Sequence, residues 1–295
     1  MGFGILAFLK SLAPFSLYIT GMVFSLLAFS GRPRWALLLV TFLLPLRNVT
    51  DRLQDFPMGN QFIDILIGSI MTGWFISNFG ARTKLFEKSS LNIAMVLLPI
   101  YTFISLQWGN HYIGNHAFLD ISDPRVQDWK NFCLLPVLYF LTLNNIKDQK
   151  WVWRVFVVMC LAMVIMDYYT TSQIKWFSSL ESRAKINGTF QFLGPNEVAA
   201  FYNQYTIILL SMYFFMKRSF NKTLLFLLIA VNLYCMIFMY SRAAYGALAV
   251  GMFLLFTIKN KKLLVPLILA AIFWQVALPH KAVERIQSTT NRYGE

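Results

Sequence analysis

The feature that most constrains this chain is a succession of ten apolar runs, at about 11–30, 35–47, 61–79, 91–107, 131–146, 151–170, 196–216, 223–240, 243–258 and 263–279. A backbone placed in hydrocarbon has no water to bond. A spanning segment must therefore satisfy its own N–H and C=O groups, and a helix of about 20 apolar residues does so across about 30 Å. A soluble helix needs only an apolar stripe, with polar residues on its other face. Composition agrees: 57% of the residues are hydrophobic and 13% charged, where soluble domains average about 45–50% and about 25%. Those figures exclude a soluble α/β enzyme, a disordered chain and a disulfide scaffold. The expected fold is all-α, a polytopic transmembrane helical bundle of about 10 spans over residues 1–279, with 280–295 starting a loop beyond the last span. Lys10 lies inside the first apolar stretch and no A-x-A-like site follows, so the N-terminus reads as a retained span, broken near Pro14.

The net charge of +13 and pI near 9.7 would suit a nucleic-acid binder if the basic residues shared one soluble face. They do not. One set of alternate connections holds Arg32 and Arg34; Arg82, Lys84 and Lys88; Lys147, Lys150 and Arg154; Lys217, Arg218 and Lys222; Lys259, Lys261 and Lys262, with only Glu87 and Asp148 in opposition. The other set is balanced. Lys and Arg accumulate on the cytoplasmic side of membrane proteins, so the first set is expected in the cytoplasm, and no nucleic acid is needed to explain the charge. The long connections 48–60, 108–130 and 171–195 and the tail from about 280 then lie outside, together with His111, His116 and His280. Any chemistry is expected on that side.

No Walker loop, dinucleotide glycine pattern, HExxH or GxSxG is present. Cys133, Cys160 and Cys235 sit in apolar runs without a CxxC pair and read as small buried hydrophobes. His111 and His116, followed by Asp120 and Asp123, have unspecific spacing; the loop reads as solvated, and neither metal nor cofactor is expected. Asp64 and Asp167 fall near the outer ends of their runs, where solvation is cheap. Two segments carry more information. In the first, Ser182 to Glu197, basic residues precede Gly188-Thr189-Phe190, and Gly194-Pro195-Asn196-Glu197 opens an inward-running span. Asn196 suits an N-cap, and a helix start offers N–H groups and partial positive charge to an anion. Arg183 adds a bidentate fork, while an interfacial Arg beside a capped helix without ligand explains the same residues. In the second, Tyr240-Ser241-Arg242-Ala243-Ala244-Tyr245-Gly246 forms the outer turn between two spans. Ser241 suits an N-cap, Ala243, Ala244 and Gly246 suit close helix approach, and Arg242 is a functional candidate by its setting or an arginine snorkelling to headgroups.

The order Arg-x-x-x-x-Gly-Thr-Phe-x-x-x-x-Pro-Asn, then one helical hairpin, then Ser-Arg-Ala-Ala at an outer turn resembles the O-antigen ligase and polymerase superfamily, most specifically over residues 183–258. The resemblance implies a bacterial inner-membrane, multi-pass glycosyltransferase. It would move a glycan from an undecaprenyl-diphosphate donor to lipid A-core or a growing polysaccharide at the periplasmic face. It implies that Arg183 and Arg242 hold the diphosphate and that Gly188 and Asn196 shape the anion pocket; Glu197 enters only as a speculative base. The family pattern continues through a large periplasmic loop with a histidine motif and about two more spans, whereas this sequence stops at Glu295, inside the expected loop, so the catalytic residue is left unassigned. His280 comes too early to take that role. A membrane transporter for inorganic carbon or another small anion, and a non-catalytic polysaccharide-assembly subunit, stay open as alternatives.

Overall fold

The computed structural model describes residues 2–81, 85–114, 123–176, 185–217 and 220–290. Of the residues singled out above, Arg82, Lys84, His116, Asp120, Ser182, Arg183 and Arg218 lie outside that set. The described residues contain no strand. Their helices are α1 (Gly2–Phe29), α2 (Pro33–Leu43), α3 (Arg47–Thr50), α4 (Phe62–Ala81), α5 (Asn92–Tyr112), α6 (Pro124–Asn145), α7 (Gln149–Trp176), α8 (Pro195–Phe215), α9 (Phe220–Ile237), α10 (Arg242–Lys259), α11 (Leu264–Ile272), α12 (Trp274–Ala277) and α13 (His280–Thr290).

Six of the ten expected spans meet helices long and apolar enough to cross a membrane: α1, α4, α5, α7, α8 and α10. The other four are helical but differ in length or polarity. The 11 residues of α2 reach only about 16 Å at 1.5 Å per residue, about half a hydrocarbon core. Pro45 ends α2 early, since the residue before a proline is pushed out of the helical region. α6 starts well before the expected run and carries Arg125, Asp128 and Lys130 in its first two turns. α9 is apolar but short. The run 263–279 is broken at Phe273, where the backbone leaves the helical region (φ −96°, ψ 32°). The expected break at Pro14 is absent, and α1 runs continuously through it.

The chain divides into two compact units, residues 1–41 with 52–157, and residues 42–51 with 158–295. In the first, α1 packs on α4, and α6 packs on α4 and α5. Gly73 lets α4 approach α1 so closely that a β-carbon there would stand 1.9 Å from the Ala28 carbonyl oxygen. Lys130 donates to Asp64 at 3.1 Å, so Asp64 is solvated and paired, in keeping with its expected place near a helix end. In the second unit α8 packs against α9 and α10. Met163, Met166, Tyr202, Met236 and Met239 form its centre, each fully or almost fully buried. Cys235 belongs to that core, but Cys133 and Cys160 are only half-buried, unlike the interior hydrophobes expected.

Candidate functional site

The segment 185–194 lies in the second unit and is built around Gly188. Its φ of +59° is left-handed, where a β-carbon is strained. A β-carbon there would also meet Thr170 Oγ1 at 3.2 Å, Met166 Cε at 3.4 Å and Val198 Cγ1 at 3.5 Å. Gln173 of α7 clamps the turn: Gly188 N donates to its Oε1 at 2.8 Å, and its Nε2 donates to Asn187 Oδ1 at 3.0 Å and the Gly188 carbonyl at 3.2 Å. Asn187 Nδ2 donates to the Gln191 carbonyl at 2.8 Å. Thr189, fully buried, donates through its hydroxyl to the Pro45 carbonyl, and its own carbonyl accepts from Asn48 N at 2.9 Å. Ile186 and Phe190 sink into the core. Buried polar groups are normally paired within the protein, and here Gln173 and residues 45–48 supply the partners.

α8 follows, and its cap is Gly194 (φ −76°, ψ 168°), with Pro195 as the first helical residue and Asn196 as the second. This corrects the expectation that Asn196 is the cap. Proline's fixed φ suits the first helical position and moves the boundary one residue up and the cap two. Glu197 folds back so that its Oε2 lies 2.7 Å from where a Gly194 β-carbon would stand. A carboxylate over the first turn complements the positive end of the helix.

α10 begins at Arg242 behind a buried Ser241 whose side chain makes no capping bond. The expected Ser241 cap is thus absent, although the residue is almost fully buried at the helix start. Ala244 is buried in the same cluster as Ile186, Phe190 and Val198, so the start of α10 and the Gly188 turn rest on one core. Gly246 has nothing within 4 Å and faces open space, so it is not the close-approach position expected. Tyr245 OH donates to the Ile237 carbonyl at 2.5 Å and ties together the turn between α9 and α10. The Arg242 side chain is exposed and reaches α13, where its Nη1 lies 3.5 Å from the Arg285 carbonyl. Burial, and after it the neighbouring Arg242 charge, push the Arg285 guanidinium below its ordinary pKa. Two like charges held together make a region that attracts anions. The structure thus adds Arg285 and Gln173 to the residues read from sequence. Arg183 lies outside the described residues, so its relation to Arg242 is not part of this geometry.

Asp167 requires a correction. It is 4% exposed rather than solvated, and its Oδ2 accepts from Asn232 Nδ2 at 2.7 Å. The reason is length: α7 continues to Trp176, placing Asp167 more than two turns inside a helix whose run was expected to end near residue 170. The spacing of Asp167, Thr170, Asn203, Thr206 and Asn232 inside apolar runs was the signal available for this polar interior.

In the first unit, α5 and α6 enclose a cleft of about 450 Å³ that includes Asn110, Arg125 and Trp129. Asp123 caps α6, accepting from Arg125 N at 2.9 Å, and the Arg125 side chain bonded to it holds its carboxyl below the usual carboxylate range. His111 is exposed nearby. Among the described residues, no three His, Cys, Asp or Glu side chains cluster as metal ligands do.

An all-helical set of described residues, with six helices long and apolar enough to span a bilayer, defines a multi-pass membrane protein. Comparison with protein-family models, with curated proteins and with solved structures finds no match for the chain.

Proposed function

We propose that this protein is a bacterial inner-membrane glycosyltransferase of the O-antigen ligase and polymerase type. In this reading α2, α6, α9 and the α11–α12 segment complete about ten membrane-embedded segments, and the outer turns face the periplasm. The observation that supports it best is the pairing of Arg242 with Arg285 at the start of α10, on the same core as the Gly188 turn. The donor is an undecaprenyl-diphosphate-linked glycan. A hydroxyl of lipid A-core or of a polysaccharide attacks the anomeric carbon, and its proton passes to solvent water. The bond from that carbon to the diphosphate oxygen breaks, and the diphosphate leaves with the electron pair. Charge builds on the leaving diphosphate, so guanidinium groups placed there lower the barrier electrostatically, and holding the two substrates together supplies the rest. Arg242 and Arg183 bind the diphosphate, Arg285 adds to the positive field, and Gly188 and Asn196 shape the pocket.

The test is binding of an undecaprenyl diphosphate analogue to the purified chain. Arg242→Ala removes a charge-assisted contact of about 1.5–3 kcal/mol, which weakens binding roughly 10- to 150-fold. Arg242→Lys keeps the charge but loses the planar fork and falls between. If folded Arg242→Ala and Arg183→Ala variants bind like wild type, the reading is wrong and the arginines are snorkelling side chains.

A further inference from the structure

Besides Asn48 Oδ1, which lies outside these helices, four buried oxygen atoms among the described residues of the second unit, all on α7, α8 and α9, have no hydrogen-bond partner: Asp167 Oδ1, Asn203 Oδ1, Thr206 Oγ1 and Asn232 Oδ1. Their residues are 4%, 9%, 0% and 0% exposed. Buried polar atoms in folded proteins are normally satisfied, and each one left over calls for an explanation.

The contacts place these atoms in one region. Asn232 pairs with Asp167, and Cys235 Sγ lies 3.5 Å from Thr171 Oγ1, so residue numbers rise together along α7 and α9, which run parallel. α8 and α9 are joined by a short link and pack along each other, so they are antiparallel. α8 therefore runs against α7, and the Tyr202 hydroxyl, donating to Thr170 Oγ1 at 3.0 Å, sets their register. One turn onward along α8 from Tyr202 is Thr206; about one turn back along α7 from Thr170 is Asp167. Thr206 thus falls at the level of Asp167 and Asn232, with Asn203 between that level and Thr170. The Asn232 amide is already used, donating to Asp167 Oδ2 and to the Leu228 carbonyl at 3.2 Å.

What remains is a set of oxygens able to ligate: a carboxylate that also bonds Asn232 and Tyr202, two amide carbonyls, and a hydroxyl whose oxygen keeps lone pairs free. Among the described residues no Lys or Arg pairs with Asp167. A carboxylate buried without a counter-charge is costly. Oxygen ligands suit hard cations. A single carboxylate balances a monovalent ion, whereas a divalent one would leave net charge in an apolar core. We infer that Asp167, Asn203, Thr206 and Asn232 bind a monovalent alkali cation, sodium, between α7, α8 and α9. The ion ties together the helices that carry Gln173, Thr170 and Val198, the residues against which the Gly188 turn is held.

The experiment needs no lipid donor, so its outcome is independent of the glycosyltransferase reading. Melting of the detergent-purified full chain is followed by tryptophan fluorescence while sodium chloride replaces choline chloride at constant ionic strength. The melting temperature of wild type rises with sodium and saturates, and equilibrium dialysis with radioactive sodium gives one ion per chain. Thr206→Val raises the half-saturating sodium concentration at least tenfold, Asp167→Asn abolishes the response, and Asp64→Asn leaves it unchanged. Should Asp167→Asn not fold, the wild-type dialysis and Thr206→Val decide. Wild type melting identically in sodium and choline, a response to pH alone, or a sodium response intact in Asp167→Asn would each overturn the inference, the first leaving a water-filled layer and the second a protonated Asp167.

Discussion

At the scale of single residues, Gly188 and Asp123 show two ways in which one side chain sets local structure. Gly188 combines a left-handed backbone with neighbours on three sides. Gly188→Ala is expected to cost about 1–2 kcal/mol from backbone conformation alone and to lower the melting temperature of the purified chain. Gly246→Ala, facing open space in α10, is the matched control and leaves the melting temperature unchanged or higher. Asp123 acts through charge. Its carboxyl titrates below the ordinary value of 3.8 because Arg125 bonds the ionised form. A depressed folded-state pKa contributes stability that is present above the unfolded value and lost as pH falls through the folded one. The melting-temperature gap between wild type and Asp123→Asn is therefore expected to be full above about pH 4 and to shrink below it. A gap that does not change with pH would show that the Arg125 contact adds nothing.

Among elements, helix existence was legible and helix use was not. Gly194-Pro195 announces the start of α8 because proline's fixed φ and missing N–H suit that position and little else. The resulting cap lies two residues before Asn196. α6 was legible only from its apolar half; its polar first turns became visible once Asp123 was seen to cap them. How closely two helices approach is a pairwise property. Gly73 carries no local signal, yet its missing side chain permits the contact with Ala28 that joins α1 to α4. The obstructing atom is backbone and cannot rotate away, so Gly73→Ala should cost about 1–3 kcal/mol through overpacking. Gly68→Ala and Gly80→Ala, with nothing within 4 Å, should not. Thermal melts of the three variants decide the matter, and equal stability in all would mean that α1 shifts freely on α4.

For the whole molecule, the pattern of Lys and Arg predicts orientation. Single cysteines at Lys150 and Lys261, in a background lacking the native three, should resist an impermeant thiol reagent in intact spheroplasts, while those at Asp55 and Tyr112 should be labelled. The reverse pattern would invert the topology and move the Arg242 turn to the cytoplasm, away from any periplasmic substrate. The helical class and the apolar runs were readable from the amino-acid order alone; ten runs read as spans, and only the structure separated the six long apolar helices from the four that are shorter, more polar or broken. Hydrocarbon length and backbone self-satisfaction act within one segment and leave their record in consecutive residues. Arg242 stood out for the same reason, as a lone charge among apolar spans, whereas Gly188 was marked only through the Gly-Thr-Phe motif and its left-handed turn came from the structure. The burial of Asp167, the Gln173 clamp on Gly188 and the approach of Arg285 to Arg242 were decided by tertiary structure. Each joins residues far apart in the chain or on opposite sides of a connection. Which helix faces meet depends on packing between segments, and no local run of residues records it.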